Sequence, residues 1–278
     1  MFKLFATVIF LVPFSLLFAQ GIIEAEGSIK LGDSNETSPL AGTMRWNGQD
    51  FEGYDGSDWQ SLTGQNTVPN FSNGLLTDID GNVYRTVTID GDIWMAENLR
   101  ATHFNDGRDI PHVPNNAVWT QTRTDKYPGY CWINNDENYK YPYGALYNWF
   151  VADNVNICPV GWHVPARQEW LNMRDALGGF TVAGGQLKST GTLQSGNGLW
   201  ETPNTDANNS TGFTAVSGGS RTSQGVFLWF GEHAYWWTAT ESNPNTLAYT
   251  IWLEHDSGDF NWTDFNKDVG FSIRCKKD

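Results

Sequence analysis

Tryptophan, glycine and the scarcity of charge together limit the folds that are open to this chain. Its 278 residues include 14 Trp and 29 Gly, whereas charged residues make up only 17%. Coiled coils, helical bundles and disordered chains carry more charge or fewer aromatic and glycine residues, so this composition excludes all three. A hydrophobic fraction of 40% and a mean hydropathy of −0.43 are typical of a globular protein with one or two domains.

The first 19 residues have the pattern of an export signal. Lys3 supplies a positive charge, residues 4–18 form an almost unbroken apolar run, and Ala19 is a small residue at which cleavage can occur. The run is shorter than the ~20 residues that a bilayer span needs, although an uncleaved anchor is the alternative. We therefore expect a secreted or cell-surface protein with no membrane span after cleavage. The net charge of −14 argues against a nucleic-acid partner.

Cys131, Cys158 and Cys275 allow three different pairings in an oxidising compartment. A bridge between Cys158 and Cys275 would tie the C-terminus to the body of the domain. For so long a loop the chain-entropy model gives a stabilisation of about 4–5 kcal/mol, less any strain in the folded state. We expect this pairing, and we expect Cys131, which lies between aromatic residues, to be a buried thiol. No Cys or His residues have the spacing of a zinc site.

The chain divides into a small N-terminal module and a larger domain. Residues 20–63 contain two short alternating segments, 28–31 and 43–46, and a segment at 51–54 that lies between Asn-Gly and Asp-Gly turn dipeptides. With so few apolar side chains this β module needs a neighbour or further copies of itself, so we expect that a homo-oligomer can form through it. Residues 64–76 are predicted to be a linker, and residues 77–278 to form one domain.

Within the larger domain the periodicity predicts an α+β fold with two helices packed on small antiparallel sheets and with long loops. Residues 143–151 and 166–177 have helical spacing, the second beginning after Pro165 and ending at a Gly-Gly pair. Period-two alternation predicts a strand at 83–89, and after the Asp90-Gly91 turn the chain returns at 93–95. We expect further strands at 234–240, 248–253 and 269–275, and the polar composition predicts loops over 181–225. The run at 78–82 shares part of a calcium-loop pattern, but an ordinary turn is the expected structure.

A series of short motifs follows one order along this domain, namely DIDGN (78–82), WMAENL (94–99), YPYGALYNW (141–149), CPVGWHVP (158–165), AGGQLK (183–188), YWWTATE (235–241) and GFSIRC (270–275). Together they resemble the Fibrobacter succinogenes major paralogous domain over about 200 residues. The resemblance implies an exported or surface protein of Bacteroidetes-like bacteria that has no settled activity. Residues 39–63 more weakly resemble a short module found ahead of bacterial surface and tail-fibre-like domains.

More distantly, the motifs VPARQEW (164–170), SGGSR (217–221) and GF (270–271) are similar to landmarks of the C-type-lectin-like and formylglycine-generating-enzyme fold. That resemblance implies adjacent termini, two helices against small sheets and a long irregular segment that binds ligands. Ala166 stands where Thr or Ser usually caps the helix, which costs about 1 kcal/mol.

The sequence favours a protein without catalytic activity. The formylglycine-generating relatives need cysteines in the segment after Gly-Gly-Ser, and residues 221–229 contain none. A glycan-active enzyme with paired carboxylates, such as Glu169 and Glu241, is the alternative, although a Glu in a first helical turn is also expected from the helix dipole.

Glycan binding is the sharper hypothesis, because aromatic faces and polar groups hold sugars and residues 222–268 are rich in both. The candidate ligand-binding residues are Trp229, His233, Glu241, Asn243, Asn245, Trp252, Trp262 and Asp264. ESNPN (241–245) and WTD (262–264) match the two motifs of calcium-dependent lectins only in part. We therefore expect no cofactor, with a bound calcium ion as the alternative.

Two alternatives accompany the glycan hypothesis. The partner can be a surface protein instead, in a structural, display or adhesin-like role that presents the large domain on the N-terminal module. The aromatic residues can also belong to the core, which is our expectation for Trp162, Trp170 and at least one of Trp236 and Trp237. His163 is expected to be a structural histidine.

Overall fold

The structure is a computed structural model that describes residues 44–46, 51–54, 59–61 and 74–278. The predicted export signal and most of the predicted linker lie outside these described residues. The described residues of the N-terminal unit form an antiparallel sheet of three strands, β1 (Met44–Trp46), β2 (Phe51–Tyr54) and β3 (Trp59–Ser61). The predicted segments at 43–46 and 51–54 therefore contain strands, whereas the alternating segment at 28–31 lies outside the described residues.

The second unit combines short helices with several antiparallel sheets, which confirms the α+β class. Its strands are β4 (Leu75–Thr77), β5 (Val83–Ile89), β6 (Asp92–Met95), β7 (Tyr130–Cys131), β8 (Leu146–Tyr147), β9 (Trp162–His163), β10 (Ser220–Arg221), β11 (Phe227–Leu228), β12 (His233–Asn243), β13 (Leu247–Glu254), β14 (Asn261–Asn266) and β15 (Lys276–Lys277). Its helices are α1 (Asn116–Asp125), α2 (Lys140–Tyr143), α3 (Trp149–Ala152), α4 (Arg167–Ala176) and α5 (Phe180–Leu187). Within the described part of the chain, no helix is long and apolar enough to cross a membrane.

The C-terminal strand, β15, is an interior strand of the sheet that also contains the first strands of this unit. The order is β4-β5-β6-β15-β9, and Lys276 of β15 pairs with both Trp94 and His163. The predicted bridge between Cys158 and Cys275 is confirmed, with the two Cα atoms 5.9 Å apart. Cys131 is the buried free thiol that the sequence predicted, and burial raises its pKa to about 12.

A three-stranded sheet, β12-β13-β14, carries most of the predicted binding residues. Its strands pair antiparallel, with Tyr235 opposite Trp252 and Ile251 opposite Trp262. Trp236 and Trp237 point to opposite faces, and both are fully buried because each face of β12 is covered. Their assignment to the core is confirmed for both.

Trp236 belongs to a stack of three buried indoles. Its ring centroid lies 5.9 Å from that of Trp170, which in turn lies 4.9 Å from Trp94. Arg274 is fully buried beside this stack, where it donates to Asn98 Oδ1 (2.8 Å) and Thr214 O (2.9 Å). Burial lowers the pKa of Arg274 to about 9. The stack and this buried cation join β6, α4 and β12 into one core.

Helix α4 forms where the sequence predicted it, although its N-cap is Ala166. Glu169 accepts the Ala166 N–H (2.8 Å), and the Thr240 hydroxyl of β12 accepts the Arg167 N–H (3.0 Å). These two contacts replace the side-chain cap that alanine lacks. Glu169 also pairs with His163 Nε2 (3.0 Å), whose Nδ1 pairs with Asp278 (2.6 Å), so His163 has a structural role.

The predicted helix at 143–151 is wrong. Gly144 interrupts it at φ 78°, and a Cβ there would meet Leu99 O at 2.8 Å. Residues 146–147 form β8 instead, paired with β7, so only α2 and α3 are helical in this region. The helical spacing of the apolar residues arose because these side chains are buried on several sides rather than on one face.

The predicted strand at 269–275 is also wrong, and the number of helices exceeds two. Residues 270–272 make only isolated β-bridges, to Arg221, Tyr147 and Trp236 respectively, and do not form a strand. Helices α1 and α5 lie in regions that were not predicted to be helical, α5 within the loops expected over 181–225. Trp162 is partly buried and packs against the core.

Candidate binding surface

The hairpin β10–β11 presents the first predicted binding residue, Trp229. Arg221, fully buried, donates to Gly225 O (3.2 Å), Pro114 O (2.9 Å) and Asn116 Oδ1 (2.8 Å), so the loop at 222–226 is fixed to the start of α1 and the residues before it. None of these acceptors is a carboxylate. The buried Arg221 side chain therefore fixes the position of the hairpin. Trp229 follows directly after its second strand, β11.

Trp229 has an unusual backbone conformation for a bulky residue. Its φ of 58° lies in the left-handed region, and its side chain is 41% exposed. The Trp229 carbonyl accepts the N–H groups of Glu232 (3.1 Å) and His233 (3.0 Å). This tight turn fixes the indole at the start of β12.

Trp229, His233 and Trp252 form a continuous aromatic surface, which we call the aromatic shelf. The His233 ring centroid lies 5.5 Å from that of Trp229 and 5.6 Å from that of Trp252. Tyr235 supports the shelf from below, since its ring is nearly parallel to that of His233 and 5.6 Å away. Trp252 is half-buried, so the shelf extends from the core to solvent.

The shelf is neutral at its centre and has carboxylates around it. Burial lowers the pKa of His233 below its ordinary value of 6.5, and the carboxylates of Glu232 and Asp256 only partly oppose this shift. His233 is therefore uncharged at pH 7, and its Nδ1 hydrogen-bonds the Tyr235 hydroxyl (3.2 Å). Glu254 lies opposite His233 on β13, and burial followed by repulsion from Asp256 raises its pKa.

The structure places Glu241, Asn243 and Asn245 at the other end of the same sheet. Glu241 lies eight positions beyond His233 on β12, which corresponds to about 25 Å of strand. The Glu241 carboxylate pairs with Lys267, and Asn243 Oδ1 accepts the Asn245 N–H (2.9 Å) in the turn to β13. A single sugar-binding site cannot contain both this turn and the aromatic shelf.

Trp262 and Asp264 lie on the opposite face of the sheet from Trp252. Trp262 is paired with Ile251, the neighbour of Trp252, and adjacent strand residues point to opposite faces. Trp262 is 40% exposed and contacts Arg167 of α4, while the Asp264 carboxylate accepts the Ser242 hydroxyl. The eight predicted residues thus fall into three separate groups.

No metal centre is visible in the described ranges. Among residues 74–278 and the three N-terminal strands, no group of three or more His, Cys, Asp or Glu could hold a metal ion. In the run at 78–82, the Asp78 carboxylate accepts the N–H groups of Asp80 (3.0 Å) and Asn82 (2.9 Å) and the Tyr84 hydroxyl (2.6 Å). This run forms a hydrogen-bonded turn.

Two further features were not found by sequence reasoning. Arg167 and Tyr249 contact Trp262 from α4 and β13, and no pattern in the sequence links these distant positions. A cleft of about 470 Å³ also opens beside α5. Its lining is mostly polar and consists of Thr181, Val182, Gln186, Asp206, Asn208 and Ser210. None of the predicted binding residues lines it.

The fold and the shelf define an α+β domain that is closed by a disulfide and displays aromatic side chains. Comparison with protein families gives a match to the Fibrobacter succinogenes major domain over residues 87–277. Because the match covers more than half of the chain, this protein belongs to that family, as its motifs indicated. Comparisons with curated proteins and with solved structures gave no match.

Proposed function

We propose that this protein is an exported, non-catalytic glycan-binding protein that holds sugar rings on the aromatic shelf. The observation that carries the proposal is Trp229, whose indole is 41% exposed although its backbone is held at φ 58°. A strained conformation of this kind costs about 1–3 kcal/mol and is concentrated at functional sites. Packing in the core does not account for the strain, since much of the indole faces solvent.

The chemistry of the shelf suits a neutral sugar. The apolar C–H face of a pyranose can pack on the indoles of Trp229 and Trp252, while neutral His233 offers a ring nitrogen to a hydroxyl group. The carboxylates of Glu232 and Glu254 lie close enough to affect Tyr235 beneath the shelf, and they are further acceptors for hydroxyl groups. Aromatic faces beside a few placed polar groups are typical of ligand-binding sites.

We propose that binding at the shelf does not need calcium. The two acidic residues that partly match the lectin motifs are already engaged, Glu241 by Lys267 and Asp264 by Ser242. Both also lie away from the shelf, at the far end or on the opposite face of the sheet. A chelator should therefore leave binding unchanged.

We also propose a C-type-lectin-like arrangement for residues 77–278 and a location outside the cytoplasm. The adjacency of β15 to β6 supports the first proposal, together with the long stretch at 189–219, where the structure has neither helix nor strand. The Cys158–Cys275 bridge supports the second, because disulfides persist mainly in oxidising compartments.

A glycan-array screen of the mature chain, run with calcium and again with chelator, tests the proposed function. We expect saturable binding of neutral glycans in both buffers, weakened about tenfold or more in Trp229→Ala because an aromatic anchor is lost. For neutral glycans Trp262→Ala is the matched control and should bind like the wild-type protein, since Trp262 is about equally exposed but lies on the other face.

Three results would contradict the proposal. These are equal glycan binding by the Trp229→Ala variant, loss of binding in chelator, and the absence of glycan binding in either buffer. The last result would favour a protein partner or a display role.

A further inference from the structure

An arginine is stacked on one exposed and one half-buried aromatic ring on the face of the sheet opposite the aromatic shelf. The Arg167 Cζ lies 3.6 Å from the Trp262 ring centroid and 4.6 Å from that of Tyr249. The two rings are 5.7 Å apart and come from the neighbouring strands β14 and β13. The backbone of Arg167 is fixed as well, because its N–H is bound by Thr240 Oγ1 (3.0 Å). The guanidinium therefore has a defined position.

The guanidinium of Arg167 has no acceptor within the part of the chain that the structure describes. It makes no hydrogen bond or ion pair to any described residue, and its Nε is buried without a partner. Among the described residues, Arg100, Arg221 and Arg274 are more deeply buried than Arg167, and each has acceptors. Arg221 and Arg274 donate to backbone carbonyls and to side-chain amides, and Arg100 pairs with Glu97 although its Nε also lacks a partner. The two terminal nitrogens of the Arg167 guanidinium are not buried and have no partner among the described residues, so they are free to donate to an anion from outside.

We propose that Arg167, Tyr249 and Trp262 form a second site, which binds one anionic sugar residue of a glycan. The planar guanidinium matches a carboxylate or a sulfate group with two parallel hydrogen bonds. The exposed part of Trp262 offers an apolar surface to the sugar ring that carries this anion. The site thus recognises the oxyanion of a uronic acid or of a sulfated sugar, together with its ring.

The charge of the protein limits this ligand to an isolated anion. The net charge of −14 repels a polyanion such as a chain of uronic acids. Asp264 lies two positions beyond Trp262 on the same face of β14, where it accepts the Ser242 hydroxyl. A single acidic residue in an otherwise neutral glycan can reach Arg167 without a second negative charge near Asp264.

Titrations of the mature chain followed by NMR test this site. The probes are methyl glucuronide, its uncharged methyl ester, and methyl glucoside 6-sulfate, and the readout is the indole N–H signal of Trp262. We expect the glucuronide or the sulfate to bind about tenfold or more tightly than the ester, because hydrogen bonds to charged groups are the strong ones. The stronger of these two probes identifies the source of the anion.

Variants separate this site from the shelf and from general charge effects. Arg167→Gln should reduce binding of the anion to the level of the ester, and Arg167→Lys should weaken it because the planar fork is lost. Arg174→Gln, on the same helix, is the matched control and should change nothing. Trp229→Ala removes the shelf and should leave anion binding intact, so failure of one site is distinguishable from failure of the other.

The proposal is overturned if the anionic probes bind no better than the ester. It is equally overturned if a folded Arg167→Gln or Arg167→Lys variant binds them as well as the wild-type protein does.

Discussion

The stack of Trp94, Trp170 and Trp236 and the aromatic shelf are built from the same kind of residue with opposite results. In the stack every indole is fully buried and contacts another indole. On the shelf Trp229 is 41% exposed and has a left-handed backbone. Trp236 of the stack and His233 of the shelf lie only three residues apart on β12. We propose that exposure and backbone strain, rather than residue type, distinguish the aromatic residues that bind ligand from those that build the core.

The largest expected effect is that of Trp236→Ala. Removal of a fully buried indole from the stack should lower the free energy of unfolding by about 3–5 kcal/mol, through lost transfer energy and the cavity left behind. Urea denaturation measures this, with Trp262→Ala as a control that should cost much less. A loss below ~1 kcal/mol would show that the stack is not the core that we describe.

Removal of the disulfide should come next in size. Replacing both Cys158 and Cys275 by Ala should lower the free energy of unfolding by about 2–4 kcal/mol, because the unfolded chain gains the freedom of a long loop. The shelf should still bind glycans below the unfolding transition, since neither cysteine contacts it. Binding lost while the protein stays folded would link the bridge to the shelf and contradict this separation.

At position 229 a glycine should give a more stable protein than an alanine, which is the reverse of the usual order of stability. Trp229→Gly should be more stable than Trp229→Ala by about 1 kcal/mol, because alanine keeps the cost of the left-handed conformation and glycine does not. Thermal unfolding of the pair measures the difference, and both variants should lose shelf binding. Equal stability of the two variants would contradict the claim that the backbone at Trp229 is strained.

The smallest effect concerns Glu169, at the start of the helix that bears Trp170. Burial alone would raise the pKa of Glu169, but hydrogen bonds from Lys276, the Ala166 N–H and His163 outweigh it and lower this pKa below 4.5. The carboxylate therefore contributes stability that is present above pH 4.5 and is lost as pH falls through the lowered pKa.

Glu169→Gln should therefore cost about 1 kcal/mol at pH 7 and progressively less as the pH falls below 4.5. Denaturant titrations of both proteins at several pH values measure this difference. A difference that does not shrink as the pH falls would contradict the assigned role.

The parts of the fold with one buried face were predictable from the sequence. Strand β5 was found by alternation, and α4 was found from the proline before it and the glycines after it. Helix α5 was missed because Gly184 and Gly185 are typical of loops. In the structure these glycines allow close packing, since a Cβ on Gly184 would meet Asp259 O at 2.2 Å.

The candidate site was only partly predictable. Trp229, His233 and Trp252 were chosen from the sequence, and the structure brings them together. Grouping them with Glu241 or Trp262 ignored the length of the strands and the alternation between faces of the sheet. Arg167 could not be predicted, because its stacking depends on a tertiary contact between residues far apart in the sequence.

The signals of the 14 tryptophan indoles in an NMR titration test the central claim most directly. With a neutral glycan selected on the array, we predict that the N–H signals of Trp229 and Trp252 shift and saturate together. Those of buried Trp94, Trp170 and Trp236 should stay in place. Shifts confined to other tryptophans, with Trp229 unchanged at saturation, would contradict the assignment of the aromatic shelf as the binding surface.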